Sequence, residues 1–165
     1  MRKYNTYILL LILIVNLVIS APLFALESSL VIHVYDGDTI AVKTGKMIEK
    51  VRFLGIDTPE MKDKRGVAQC YSKQAKKFLK NLILNKSVRL ERDSIAKNRD
   101  VYGRLLRYVY LDSTLLNAEL LKSGYAYTYT RSPITKLNEF MGYEKSAQKL
   151  ERGLWNKKTC KGERY

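Results

Sequence analysis

Val51-Arg-Phe-Leu-Gly-Ile-Asp-Thr-Pro-Glu60 is the stretch from which the rest of the chain can be read. Val51, Phe53, Leu54 and Ile56 give it strand character, and Pro59 ends the run because proline has no ladder donor. The strand runs out into a loop and delivers Arg52, Asp57 and Glu60 within nine residues. Solvated charges at a strand end are one reading of that pattern, since loops are where charges normally sit. The sharper reading is that Asp57 holds a metal ion, Glu60 handles a water molecule and Arg52 neutralises a phosphate. Strict alternation puts Arg52 and Asp57 on opposite faces, so a bulge or bend near Gly55 is needed to bring them together.

Upstream, Leu30 to Tyr35 and Thr39 to Lys43 alternate as two strands, and Asp36-Gly37 between them is a hairpin signal in which the glycine permits positive φ. Lys46 and Lys50 flank a loop into the third strand. Downstream, Met61 to Gly66 is short, polar and basic, a mobile surface loop beside the presumed site. Ala68 to Leu84 turns helical, with Tyr71, Ala75, Phe78, Leu79 and Leu82 on one face and Lys73, Lys76, Lys77 and Lys80 on others. Val88 to Arg92 is a fourth strand and Leu105 to Tyr110 a fifth, separated by a polar loop over Ser94 to Tyr102. A short helix follows over Thr114 to Ser123, capped by Asp112 or Ser113 and stopped by Gly124. Tyr125 to Thr130 is extended. Ser132-Pro133 then opens a helix to about Arg152, with Leu137, Phe140, Met141, Ala147 and Leu150 as its buried stripe. Gly153 stops it and Trp155 packs the tail. The fold class implied is α+β, a small closed β-barrel of oligonucleotide-binding (OB-fold) type with flanking helices.

The totals narrow the function. A chain of 165 residues with 46% hydrophobic and 28% charged content is one globular domain. Thirty basic against sixteen acidic residues, net +14, point to a polyanion, most simply nucleic acid. An anionic membrane surface ranks below it, because the basic residues are spread over several segments and form no single amphipathic helix. Residues 1–25 read as a signal peptide: Arg2 and Lys3, an apolar core from Ile8 to Ile19 broken by Asn16, then Ser20, Ala21 and Ala25. Cleavage after Ala25 or after Ser20 gives a secreted protein, and no cleavage gives a membrane anchor. Cleavage after Ala25 removes Arg2 and Lys3 and no acid, which leaves +12. The domain itself spans residues 28–156, and 157–165 form a basic C-terminal tail. Outside the cytosol, Cys70 and Cys160 suggest one disulfide fastening that tail to the start of a helix. Closing so long a loop contributes roughly 4 to 5 kcal/mol in the chain-entropy model.

Asp36-Gly-Asp-Thr39 is a turn with one acid more than a turn requires, and Asp38 can share a hard cation with Asp57 if the hairpin lies beside the third strand. Carboxylates, a carbonyl and waters are calcium-type ligands, in a spacing unlike an EF-hand loop. Asp100-Val-Tyr-Gly-Arg104 supplies a second arginine. Two arginines on one phosphate suit a transition state in which charge builds on its oxygens, and lysine lacks the bidentate fork. The only histidine, His33, sits mid-strand and argues against triad or Cys/His chemistry, so in a hydrolase a carboxylate must orient the water and a metal help activate it.

Asp36-Gly-Asp-Thr39, Arg52 through Asp57-Thr-Pro-Glu60, and Tyr102-Gly-Arg104 together resemble the signature of the staphylococcal nuclease (thermonuclease) family over about residues 28–156. The resemblance implies a five-stranded OB-fold-type barrel with three α-helices. It also implies calcium-dependent hydrolysis of DNA and RNA phosphodiesters to 3′-phosphate products. By position, Asp38, Asp57 and the Thr58 carbonyl would bind Ca²⁺, and Asp36 would act through water. Glu60 would be the general base or water orienter, Arg52 and Arg104 would clamp the phosphoryl group, and Tyr102 would touch the nucleotide. Tyr127 and Tyr129 are candidates for base stacking. Val101 stands where the best-known member of that family has a lysine, so one phosphate contact is expected to be missing. The expected partners are DNA and RNA, preferably single-stranded or unwound, with no obligate protein partner and a monomeric chain. The competing expectation is an OB-fold module that grips nucleic acid and cuts nothing, which accounts for the charge and the tyrosines but not for the metal carboxylates and Glu60.

Overall fold

The computed structural model describes residues 28–163; the expected signal peptide lies outside the described residues. Alternating apolar side chains form β1 (Ser28–Val34), β2 (Thr39–Thr44) and β3 (Met47–Phe53) as a meander. β4 (Ile56–Asp57) follows, then helix α1 (Ser72–Ile83), β5 (Ser87–Glu91) and β6 (Leu105–Leu111). β7 (Thr114–Leu115), α2 (Leu116–Lys122), β8 (Tyr127–Thr128) and α3 (Leu137–Lys149) complete the order, and a 3₁₀ turn spans Gly153–Trp155. The sheet runs β3-β2-β1-β5-β6, and a parallel pairing of β3 with β6 closes it into a five-stranded barrel. With three helices around it, this is the α+β OB-type architecture expected from the sequence.

The inward residues of the five strands, among them Val31, Ile40, Val51, Phe53, Val88 and Val109, fill the barrel with Leu79 and Ile83 of α1 and Leu120 and Leu121 of α2. A second, smaller core gathers Tyr127, Leu154 and Cys160, with Cys70, Tyr71 and Trp155 packed against it. Cys70 and Cys160 are joined by a disulfide with Cα atoms 5.8 Å apart, so the stretch after Trp155 folds back onto the domain. The barrel core and this satellite lie on either side of the β4–β8 pair, which carries Asp57 opposite Tyr127.

Several local expectations are corrected. The third strand begins at Met47, before the predicted loop has ended, because Gly45 takes φ +59° and closes a tight turn. It does not run through Ile56: Leu54-Gly55 break it, with Gly55 at φ +75°. A Cβ at Gly55 would stand 2.3 Å from Ile134 Cδ1, so the break needs glycine twice over. Gly37 has no positive φ; it is needed because a Cβ there would meet Ala75 Cβ and Thr58 Cγ2, both at 2.8 Å. Met61 to Gly66 is an organised turn in which Asp63 accepts from the Arg65 and Val67 amides. Asp112 and Ser113 do not cap α2, since Thr114–Leu115 pair with β6 first. Ser132-Pro133 begins no helix either, and α3 starts at Leu137. Along α3 only Phe140 and Ala147 are buried, while Met141 and Leu150 are exposed. This helix touches the barrel through one narrow stripe.

Buried Asp93 ties the loop before β6 to the segment leading into α3. Its Oδ2 accepts from Tyr108 Oη (2.6 Å), Thr135 N (2.7 Å) and Thr135 Oγ1 (2.6 Å), and its Oδ1 from the Ile95 and Ala96 amides. Burial would raise its pKa, but the bonds from Thr135 and Tyr108 outweigh burial and hold the carboxyl well below the usual range. Its folded pKa therefore lies below the ordinary 3.8, so its contribution is complete above that pH and is lost as the pH falls further. Asp93→Asn should cost about 2 to 3 kcal/mol in urea unfolding at pH 7, a deficit that narrows below pH 4.

Candidate functional site

Arg52 lies at the end of β3, where its side chain is only 13% exposed. Its Nε is 3.1 Å from Asp38 Oδ1, and its Nη2 donates to Asp57 Oδ1 at 2.9 Å. Nη1 donates to the carbonyls of Phe53 (2.9 Å) and Ile56 (2.7 Å). The guanidinium thus fills the Leu54-Gly55 turn and fixes Asp57 beyond it. That turn supplies the bend required to bring Arg52 and Asp57 to one face. Asn117, fully buried in α2, holds the same turn from behind, donating from Nδ2 to Leu54 O at 2.9 Å.

Asp38 sits between the hairpin and the strand end. Its Oδ2 accepts from Thr58 N (2.7 Å) and Thr58 Oγ1 (2.9 Å), and its Oδ1 from Thr39 Oγ1 (3.1 Å). Asp36 shapes the turn by accepting from the Asp38 amide at 3.0 Å. The close approach at Gly37 seats this hairpin on α1 and on Thr58. Arg104 enters from β6. Its Nε donates to Asp100 Oδ2 at 2.6 Å, and its Nη1 reaches Thr39 Oγ1 at 3.4 Å. Thr39 therefore bridges Asp38 to Arg104. It stood in the quoted motif, but nothing in the sequence distinguished its hydroxyl from an ordinary strand threonine.

Glu60 lies at the exposed edge. Its backbone is clamped by Gln69, whose Oε1 accepts from the Glu60 amide at 2.7 Å and whose own amide donates to Glu60 O at 2.9 Å. Gln69 had no sequence signal beyond its place before a helix. Desolvation, then the charges of Asp38 and Asp57, raise the Glu60 carboxyl above its usual range against the pull of Arg52 and Arg104. Burial pushes the Asp38 carboxyl up to about 6, opposed by Arg52 and reinforced by Asp36 and Asp57. Burial works against the charge on Arg52, yet Asp38, Asp57, Asp36 and Glu60 together hold it firmly protonated. Asp36, Asp38, Arg52, Asp57, Glu60 and Arg104 thus form one electrostatic unit.

The tyrosines divide. Tyr102, 80% exposed, stands at the tip of the loop before β6, its ring 5.4 Å from the Arg104 guanidinium carbon. Tyr129 is half-buried beside the turn, its amide donating to Gly55 O at 3.0 Å. Tyr127 is displaced from the predicted set: it is 6% exposed, packed edge-on against Trp155, and offers no face for a base. Tyr127, within the two-residue strand β8, packs into the small core, and Tyr129 lies beyond the end of that strand. Val101 is 91% exposed at the loop tip. His33 is exposed against Tyr35, away from the acidic cluster.

The donor set around Arg52 is made of oxygen alone. Among the described residues no three acids close into a ready cation cage, and the Asp38 oxygens are engaged by Thr39, Thr58 and Arg52. The chemistry nevertheless fits a hard divalent cation: Asp36, Asp38 and Asp57 crowd together, and no thiol or imidazole competes. Removing Arg52 would strand these carboxylates and two carbonyls. Arg52→Met should therefore destabilise the fold by about 3 to 5 kcal/mol in urea titration, the cost of breaking a buried ion pair from one side.

Comparison with known proteins agrees with this geometry. The family model described as staphylococcal nuclease homologue matches residues 50–157. The chain is 41% identical over 128 residues to the thermonuclease of Staphylococcus hyicus, covering 76% of this chain and 74% of that protein. It is 39% identical over 132 residues to the thermonuclease of Staphylococcus intermedius, covering 79% and 77%. It is also 40% identical over 124 residues to the SPbeta prophage-derived endonuclease YokF of Bacillus subtilis, covering 74% of this chain and 42% of that protein. Barrel, charge cluster and relatives agree: the chain belongs to the staphylococcal nuclease family.

Proposed function

We propose that this protein is a secreted, calcium-dependent nuclease that hydrolyses phosphodiester bonds of DNA and RNA and leaves 3′-phosphate products. The observation that carries the reading is the joint electrostatic unit of Asp38, Arg52, Asp57, Glu60 and Arg104, drawn from the turn before β2, from β3, from β4, from the loop after it and from the residue preceding β6. A pure binding module needs no acidic cluster, which repels a polyanion. The names of the similar proteins, thermonuclease and endonuclease, point the same way.

In this reading Asp38, Asp57 and the Thr58 carbonyl would hold the calcium ion, with Asp36 acting through water. Bound there, the ion supplies positive charge beside the phosphoryl oxygens and makes a nearby water more acidic. Glu60, at the open edge, orients that water for in-line attack and takes its proton. The two arginines have different capacities. Arg52 spends three of its five N–H donors on Asp57, Phe53 O and Ile56 O and turns its Nε toward Asp38 in an ion pair, which leaves little of its fork for a phosphoryl oxygen. Arg104 is held at Nε by Asp100 and only loosely at Nη1, so it presents the better fork to developing charge. Tyr102 beside Arg104, and Tyr129, flank the path of the nucleotide. Exposed aromatics of that kind favour single-stranded or unwound substrate, and the site as described needs one chain only.

Cleavage of single-stranded DNA by the exported protein should require calcium and stop on chelation; turnover that ignores the chelator would defeat the reading. Glu60→Gln should lower kcat by about 10²- to 10⁴-fold with substrate binding retained. Arg104→Lys should cost about 10²-fold, because a point charge replaces the fork.

A further inference from the structure

The loop that carries Glu60 returns to the domain at Gln69-Cys70, and that return is fixed from three directions. Gln69 closes on Glu60 with two hydrogen bonds, one through its side chain and one through its amide. Ser72 donates to Gln69 O from its hydroxyl at 2.7 Å, which seats the turn on the start of α1. Cys70 is bonded to Cys160, and Cys160 is 2% exposed inside the small core with Tyr127 and Leu154. Tyr127 in turn pairs with Asp57 across β4 and β8. The disulfide core therefore lies behind two carboxylates at once: Asp57 through Tyr127, and Glu60 through Gln69.

We propose that Gln69 is a positioning residue for Glu60 and that the Cys70–Cys160 bond keeps it in place, so that reducing the bond switches the site off. The inference rests on the reading of Glu60 given above. The barrel does not depend on this bond in the same way, since its closure is made by β3 and β6 and its core by other residues. Cys70 is only half-buried, which leaves a dithiol access to the bond. A dithiol supplies two electrons and two protons, is itself oxidised to a cyclic disulfide, and leaves two protein thiols. Once freed, the segment around Cys160 no longer holds Cys70, and the Gln69–Glu60 clamp loses its anchor. The consequence is a nuclease that is idle in a reducing compartment and becomes active where disulfides form.

The test compares the oxidised protein, the protein reduced with dithiothreitol, the Cys70→Ser/Cys160→Ser double variant and Gln69→Ala. Each is assayed on single-stranded DNA with calcium and by amide hydrogen exchange. Reduction, the double variant and Gln69→Ala should each lower kcat by about 10- to 100-fold with KM little changed, as expected when a reacting group is misplaced by about an ångström. The Glu60 amide should gain more exchange in all three than the Val42 and Val109 amides of the barrel, and reoxidation should restore the reduced protein. In a Glu60→Gln background Gln69→Ala should not alter the residual turnover, because Gln69 acts on the site through Glu60 alone, whereas the disulfide core also stands behind Asp57. Equal kcat in oxidised and reduced protein overturns the proposal. So does a Glu60 amide whose exchange speeds up no more than that of the barrel amides, or an undiminished Gln69→Ala effect in the Glu60→Gln background. A Glu60→Gln protein as active as the parent sinks the reading of Glu60 and this inference together; an inactive one with redox-indifferent wild-type turnover sinks the inference alone.

Discussion

A single buried guanidinium holds the site together. Arg52 is the point where the end of β3, the Leu54-Gly55 turn, the start of β4 and the β1–β2 hairpin are pinned to one another. Moving a charged group out of water costs several kcal/mol unless partners replace the lost solvent. Here two carbonyls and two carboxylates do so, and each of those partners is itself placed by Arg52. The arrangement is mutual: without the cation the acids would repel, and without the acids the cation would not stay buried. The geometry of this charge cluster and the local fold thus rest on the same contacts.

Around that ion cluster the rest of the molecule acts as a support of graded stiffness. The barrel fixes Arg52, Asp38 and Arg104 through β2, β3 and β6, which are paired with one another around the ring. Asp57 hangs on a two-residue strand paired only with β8. Glu60 lies furthest out, on a loop whose return is held by Gln69, Ser72 and the disulfide. Arg52 and its neighbours are therefore tied to the closed barrel, and Glu60 is tied to the domain through Gln69 and the disulfide instead. Substrate must enter and leave past Glu60, so some freedom at that edge is compatible with turnover.

The sequence made the parts with short-range causes legible. Period-two alternation identified the barrel strands, and the acid–glycine–acid turn, the Arg52–Glu60 run and Tyr102-Gly-Arg104 named the charged side chains before any geometry was known. Long-range causes were not legible. Gly37 looks like a turn glycine, yet its reason is the approach of Ala75 from a helix far along the chain. Pro133 reads as a helix start, but α3 begins only at Leu137. Met141 and Leu150 fit a buried stripe by spacing, yet the helix touches the barrel through too narrow a face to cover them. Tyr127 and Tyr129 were indistinguishable as aromatics on an extended segment. On a continuous strand the two would share a face; β8 ends at Thr128, so Tyr129 leaves that face, and so short a pairing leaves almost no trace in the sequence.

The overall charge and the local charge of this protein have opposite signs, and that opposition has a thermodynamic consequence. The chain carries +14, a field that draws any polyanion toward it. The site it arrives at holds Asp36, Asp38, Asp57 and Glu60 against Arg52 and Arg104, with burial and the neighbouring acids already raising the proton affinity of Asp38 and Glu60. A phosphodiester seated there gains from the arginines and is repelled by the carboxylates. A divalent cation reverses the second contribution without weakening the first. In the proposed reading, cation and substrate must therefore bind with positive coupling, each tightening the other by the same factor. An acidic centre in a basic protein is then a condition on occupancy. Nucleic acid can be held broadly over the surface at any time, but it settles against the scissile position only when the metal is there to meet it.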